Sequence, residues 1–553
     1  MNARQGWRTR QVSRRTALRG AAVGLAGLSS AALIGCSGED DEPSGPTATG
    51  TSEGPGAAPS VTTPDADART RGGTLKVALG SDPTGLDPST SRGGGDHHYL
   101  YSIFDNLVNN GPDFSVKPGL ATEWEVVDDL TIRFKLREGA TFHDGSPVTG
   151  DDVKYTIDRH KDPATQSYSA GQVQSVEDVE VVDDHNVVFH LNAITSPIFA
   201  ILGDRNGMIM PRAATEAAGS DYNNRPIASG PFKVDSWAVD ANVQLSRFAE
   251  YAEDYPYLDA IDIQTVPNTS VQFANLRSGN ADVVTVDPKD RATARTTDGI
   301  QLHEWISTAY TQVNINTAVW PLTDMRVRQA LSCSLNRQAI LDGIYFSEGE
   351  LANGPMTRAT WAFNENLKPI EEDIEKAKQL LAAAGYEDGL AFEMVIVADE
   401  DRAPLSEMMK AQWARAGVDM TIVARSAEEG GAEYRNQLYP MFLTFFSGRA
   451  DPDMTIYENF HSTGGFNRAQ FNEAYEPSAE QLAIDAKIEA ARQIYDQAER
   501  KVMYDEIQTL LMEQAFGILF THRTNAVALS NRVEGFQPYG DGKYRFHELS
   551  LKA

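Results

Sequence analysis

Cysteine is nearly absent from this chain: Cys36 and Cys333 are the only two in 553 residues. A disulfide framework is therefore excluded, and Cys333, inside the apolar helical stretch RQALSCSL, is expected to pack as a small buried hydrophobe. Long hydrophobic runs are also missing. The mild run from Gly20 to Ile34 holds about fifteen residues, mostly Gly, Ala and Leu, too short and too weak to span a bilayer. Positive charge is scarce, with 49 Lys and Arg against 78 Asp and Glu and a net charge of −29. Residues 1–35 contain six arginines and no acid, so the remainder carries −35. Such a surface repels nucleic acid and anionic lipid headgroups, which excludes binding to either by charge. Catalytic signatures are lacking as well: there is no G-x-S-x-G, H-E-x-x-H, P-loop, G-x-G-x-x-G or C-x-x-C. With 78 acids, some carboxylates come close by chance, so no catalytic pair is assigned.

The amino end reads as an address. A basic start leads to Ser13-Arg14-Arg15-Thr16-Ala17-Leu18-Arg19 and then to the mild apolar run. The paired arginines resemble a twin-arginine export signal, with Ala17 where that motif usually has a large apolar residue. Leu33-Ile34-Gly35-Cys36 resembles a lipobox, which implies cleavage before Cys36 and lipidation of that cysteine. Ser37 to Gly72 is Gly, Ser, Thr, Pro, Ala and acid without apolar periodicity, a composition that cannot bury enough surface to fold. A flexible stretch of that length reaches about 30 Å, suiting a tether.

The remaining body is long enough for two or three domains. Gly73–Leu79 (GTLKVAL) alternates as a first strand, followed by the loop SDPTGLDPSTSRGGGDHH. A helix end is expected at Ile103–Leu107, then a break at Gly111-Pro112 and a strand with Ile132, Phe134 and Leu136 on one face. Thr149 is placed to cap a new helix, with Asp152 as its reciprocal partner. EVVDDLTIRFKL at 125–136 is echoed by EVVDDHNVVFHL at 180–191, with seven of twelve positions identical. Both read as hairpins turning at Asp-Asp, able to pair in one small sheet. Strands follow near Val243–Phe248 and Ile261–Val266, then helix Val271–Ser278 closed by Gly279 and a strand at Gln312–Asn316. Thr323 is expected to cap helix Asp324–Ser332, and Asn336 to begin the next. From Ile374 helices Ile374–Ala384 and Leu405–Ala416 alternate with strands Phe392–Val397 and Val418–Val423, implying an α/β lobe. A long helical run from Ile484 to Gln514 leads to a last strand at Ile518–Thr521.

Several phrases carry a resemblance beyond these elements. PGLATEWEVVDDLTIRFKLREGATFHDGSPVTGDDVKY at 118–155, IASGPFKV at 227–234 and NLRSGNADVV at 275–284 resemble, in order, family-5 extracellular solute-binding proteins. These are the dipeptide-, oligopeptide- and nickel-type receptors of bacterial ABC importers, and the resemblance covers nearly all of residues 72–553. It implies an α/β fold, a two-lobed periplasmic-binding-protein-like clamp with an additional small α+β subdomain in the first lobe. The expected division is 1–35 export signal, 36–72 lipidated cysteine and linker, 73–112 lobe I, 113–229 its subdomain and 230–311 lobe I again. Lobe II then takes 312–514, and 515–553 returns to lobe I. The function implied is capture of a peptide or other small solute outside the cell membrane and its delivery to a permease and ATPase. The receptor is expected to be a monomer without cofactor, touching the membrane through its lipid anchor and no nucleic acid. A solute sensor, a peptide chaperone or an exported hydrolase are the alternatives.

Candidate ligand contacts fall in three stretches. The first ends the loop after the first strand: Asp96, His97, His98 and Tyr99. A metal at the histidine pair is not expected, because adjacent residues point to different faces and no third His or Cys is near. The second is Trp361. The third, MFLTFFSGRADPDMTIYENFHSTGGFN at 441–467, resembles the family's cleft-lining loop and supplies Phe445, Phe446, Arg449 and Asp451. In the family's peptide receptors an acid shortly before the Asp-Pro pair receives the peptide's ammonium group. Aligned on Asp451-Pro452 that position is Gly448, and Arg449 follows, a residue suited to bidentate capture of a carboxylate or phosphate.

Overall fold

Alternating apolar residues set the strands, and two unusually long ones tie the sheet together. The computed structural model describes residues 69–251, 256–397, 402–472 and 474–552; the export signal, Cys36 and nearly all of the tether lie outside them. Among the described residues no helix is long and apolar enough to cross a membrane.

Strand Ile300–Ile315 pairs antiparallel with Gly517–Ser530 from Ile300↔Ser530 to Asn314↔Gly517. At one end Gly517–Ser530 also pairs with Val283–Thr285, which leads through Thr74–Leu79 to Ala260–Thr265, Asn242–Arg247 and Phe232–Ala238. At the other end Ile300–Ile315 pairs with Met441–Phe446, which leads to Leu390–Val397 and Val418–Arg425. The two halves enclose separate cores. Leu75, Val77, Phe232, Ile263 and Phe546 belong to one; Leu331, Cys333, Met394, Trp413 and Phe520 belong to the other. The architecture is the expected mixed α/β, two-lobed clamp.

Between Ile306 and Tyr310 the register of the long pair shifts. Ser307 and Thr308 leave the ladder there, and two of their backbone groups bond elsewhere: Thr357 Oγ1 donates to the Ser307 carbonyl at 2.7 Å, and the Thr308 N–H donates to Gly540 O at 2.8 Å. A bulge of this kind bends the sheet and re-aims its side chains.

The two echoing hairpins do pair. Ala121–Asp128, Thr131–Leu136, Asn186–Leu191 and Val176–Asp183 form one four-stranded sheet in that order. Ile132, Phe134, Val187 and Phe189 face a third core, which also receives Met454 from helix Asp453–Phe460. Helix Gly150–Lys161 begins as expected, with a reciprocal Thr149–Asp152 capping box.

Several local expectations shift. Asp324 rather than Thr323 caps helix Met325–Cys333, because its carboxylate accepts from the Arg326 N–H at 2.9 Å and also pairs with the Arg326 side chain. The strand expected at Gln312–Asn316 starts twelve residues earlier, at Ile300, since long-range pairing with Gly517–Ser530 recruits polar residues. The run from Ile484 to Gln514 is two helices, Ala479–Arg492 and Gln497–Gln514, interrupted where Asp496 caps the second. The helix expected to end at Ile103–Leu107 is His97–Ile103, with Phe104 already extended.

The Asp-Pro pair is held by a buried ion pair. Arg500, on the last long helix, donates to both oxygens of Asp451 at 2.9 and 2.7 Å, and its guanidinium lies 5.2 Å from the Trp361 ring centroid. Burial would lower the Arg500 pKa, but Asp451 raises it above its ordinary value. Removing one partner leaves the other charged and buried, so Arg500→Ala should destabilise the body by about 3–5 kcal/mol. Lys501→Ala, which breaks the half-exposed pair with Asp505, should change stability by less than about 1 kcal/mol. Urea denaturation followed by fluorescence compares the two; equal midpoints would contradict the assignment.

Candidate functional site

The bulge in the long strand pair opens beside a cavity of about 500 Å³. Its walls come from Ala309 in the bulge, Thr444–Ser447 at the end of one strand and Thr524–Ala526 in the opposite one. Gly94, Gly95 and His98 close one side, and Asp541–Tyr544 form another. Six cationic side chains line it, Arg92, Arg291, Arg402, Arg449, Arg523 and Lys543, against two acids, Asp287 and Asp541. Both acids already have partners. Asp541 sits 3.2 Å from Arg545, and Asp287 3.5 Å from Lys289. A chain with 78 acids to 49 bases thus presents a concentrated positive field at one concave place.

Each cation is differently held. Arg291 is 4% exposed; its Nη2 donates to Thr524 O at 2.7 Å, while Nε and Nη1 have no hydrogen-bond partner among the described residues. Nη1 lies 3.6 Å from Glu348. A buried guanidinium with unmade hydrogen bonds at a cavity wall is poised for an acceptor. Arg402 and Arg523 flank the half-exposed ring of Phe445 at 5.1 and 5.4 Å. Arg449 Nη1 donates to Ser447 Oγ at 2.9 Å and Gly448 O at 2.8 Å, and its guanidinium lies 5.4 Å from the Phe446 ring centroid. These contacts within its own loop orient Arg449.

Beneath the cavity lies a buried ionic floor. Lys543 Nζ is 3.3 Å from Asp204, whose other oxygen meets His97 Nε2. Arg205 donates to Ser91 Oγ at 2.6 Å, and Arg545 lies over the Tyr101 ring at 3.5 Å. Burial pulls Lys543 down to about 8, with Asp204 opposing and Arg449 adding to the fall.

The residues expected to contact ligand are dispersed. His98, Phe445, Phe446 and Arg449 line this cavity. His98 accepts the Tyr544 N–H on Nδ1 at 2.9 Å and stacks on that ring at 4.4 Å; burial lowers its pKa to about 3. Asp96 is occupied by the Thr84 hydroxyl at 2.7 Å and the Gly93 N–H at 2.7 Å, fixing the loop before the helix. His97 belongs to the ionic floor. Tyr99 is in the first core, its hydroxyl donating to Ser81 O at 3.1 Å. Trp361 packs against Tyr504 and lines a separate cavity, and Asp451 is held by Arg500. Arg92, Arg291, Arg402, Arg523 and Lys543 were not signalled by the sequence, since each lies in a different stretch without a motif.

Gly448 is explained by its neighbours. Its φ is +75°, and a Cβ there would stand 1.9 Å from Thr308 Oγ1, in the bulge. No carboxylate-bearing residue fits without moving that strand. Comparison with known proteins agrees with the clamp. Residues 115–468 match the model described as "Bacterial extracellular solute-binding proteins, family 5 Middle". The chain belongs to this family.

This family-5 chain is 27% identical over 472 residues to the dipeptide-binding protein of Escherichia coli K12, spanning 79% of the chain and 86% of that protein. Two solved structures share its fold at a TM-score of 0.79. One is the DppA periplasmic binding protein of Helicobacter pylori with the peptide STSA, at 24% identity, covering 88% of this chain and 99% of that one. The other is AgaA of A. tumefaciens with agropinic acid, at 23% identity, covering 87% and 99%.

The site makes a pH prediction. An anion bound beside Lys543 would hold the proton on it, raising its pKa in the complex above about 8. Affinity for an anionic solute should therefore be level below pH 8 and fall as the pH rises through it, by up to about tenfold at pH 9. Lys543→Arg keeps its charge and should flatten the profile. Calorimetric titration from pH 7 to 9 with the solute retained by the purified protein measures this; a level wild-type profile would contradict it.

Proposed function

We propose that this family-5 protein captures a small organic solute bearing carboxylate or phosphate groups and passes it to an ABC permease and its ATPase. The observation that carries the reading is the convergence of five arginines and a lysine on one cavity whose two acids are already paired. A ligand that makes hydrogen bonds to both lobes favours the closed clamp, which is how such a device converts binding into a signal for the permease. His98, Phe445, Phe446 and Arg449 are the proposed contacts from the sequence, joined by Arg291, Arg402 and Arg523. Gly448 leaves no carboxylate beside Arg449 for a peptide's ammonium group. The solute therefore needs an anionic group at this cavity and no α-amine beside it. The fold neighbour AgaA is bound to agropinic acid, a solute named as an acid, and this supports the reading. The protein acts as a monomer, without a cofactor and without turnover.

Its proposed place is outside the cytoplasmic membrane, held by lipid on Cys36 and exported by the twin-arginine route. Cys36→Ala should release the body to the medium or leave the precursor uncleaved. Membrane retention with normal cleavage after Gly35, read by fractionation and mass spectrometry, would contradict the anchor.

Arg449→Ala should weaken binding by about 2–5 kcal/mol, because a desolvated charge pair loses its partner. Arg449→Lys should recover part of that loss, since an ammonium cannot reproduce the paired hydrogen bonds. Calorimetry with the co-purifying solute tests both, with circular dichroism to confirm the fold. Wild-type affinity in the alanine variant would overturn the reading, and so would a retained solute without an acidic group.

A further inference from the structure

A second cavity, of about 700 Å³, lies between helix Asp453–Phe460 and the 168–201 segment. A third, of about 260 Å³, shares lining residues with both this cavity and the arginine cavity. Arg449 and Phe466 line both the third cavity and the arginine cavity, Gln172 and Glu458 line both it and the larger one, and Tyr168 borders all three.

The charge reverses between the arginine cavity and the far one. Asp453, Glu458 and Glu489 line the far cavity against one cation, Arg492. Asp453 is 2% exposed, and its Oδ1 accepts no hydrogen bond among the described residues. The Arg492 Nε is 3.3 Å from that oxygen, but its guanidinium also lies over the Tyr457 ring at 4.1 Å. Burial pushes the Asp453 carboxyl up to about 7 even with Arg492 beside it, so one guanidinium does not offset the desolvation. A buried acceptor with an unmade bond at the wall of an open space calls for a donor, and a cationic one makes the strongest hydrogen bond to it.

We infer that the far cavity is a second subsite, taking an amine or other cationic group of a solute whose anionic end sits among the arginines. The inference rests on the anion-binding reading above and narrows the substrate class to elongated solutes of opposite charge at the two ends. The amine lies in a compartment away from Arg449, on Asp453, Glu458 and Glu489, in place of the position that Gly448 leaves empty.

The probes are alanine peptides of two to eight residues with a free carboxyl end, each prepared with a free or an acetylated amino end. Every added residue extends the reach by about 3.3–3.6 Å. Titration calorimetry on the wild type should show a step with length for the free-amine series, to about tenfold tighter binding or more, and no step for the acetylated series. Glu458→Gln and Asp453→Asn should each remove the step while leaving the shortest peptides unchanged, and either variant that keeps the wild-type melting temperature suffices. Arg449→Ala should weaken both series at every length, which tests the anion-binding reading separately. Identical free and acetylated series would overturn the second subsite while leaving Arg449 in place. A step that survives Arg449→Ala would overturn the anionic anchor, and with it the opposed-charge solute. No binding by any peptide would overturn the inference.

Discussion

The pairing of Ile300–Ile315 with Gly517–Ser530 is the constraint on which the rest depends. These strands are about 200 residues apart in sequence, so closing that loop is an entropic burden that the ladder and both flanking cores must offset. In return the pair belongs to both halves of the sheet, and the break in its register falls where the halves meet. The bulge supplies Ala309 to the cavity wall and Thr308 to the contact that dictates glycine at 448. One irregularity in one ladder thus contributes to a wall of the cavity and to the constraint on Gly448.

Charge in this molecule is organised by depth. The exterior is acidic, whereas ion pairs such as Asp451 with Arg500 and Asp204 with Lys543 are nearly dry. Burying such ions is expensive, and they persist where each finds a partner in precise geometry. The site departs from that rule: Arg291 keeps two donors without hydrogen bonds, and Asp453 keeps an oxygen without one. Both side chains line cavity walls, where a ligand can reach them.

The loop around Asp451-Pro452 is fixed by its neighbours in the fold. Its Asp-Pro pair is structural here, clamped by Arg500 beneath Trp361. With a side chain at 448 excluded by Thr308, the charged group that follows in the loop is Arg449, oriented by the Ser447 hydroxyl and the Gly448 carbonyl.

The sequence by itself determined what is local or repeated. Alternation and glycine stops located the helices and strands between Ile374 and Arg425, because each is specified within its own segment. The echo EVVDD…L located two hairpins of one sheet, since identical turn chemistry and facing patterns make the same pairing surface. The phrases from Pro118 onward identified the family. Capping was legible at Thr149 and misplaced at Thr323, where a carboxylate one residue later competes better for the same amides. The full extent of the long strands was decided by tertiary structure, because their polar central residues are strand only through partners far along the chain. So was the candidate site. Arg291, Arg402, Arg449 and Arg523 share no spacing, and a loop arginine reads the same whether it faces solvent or a cavity. Only the crossing of chain segments brings their charges within one cavity, and Coulomb interaction depends on that distance in space, not on separation in sequence.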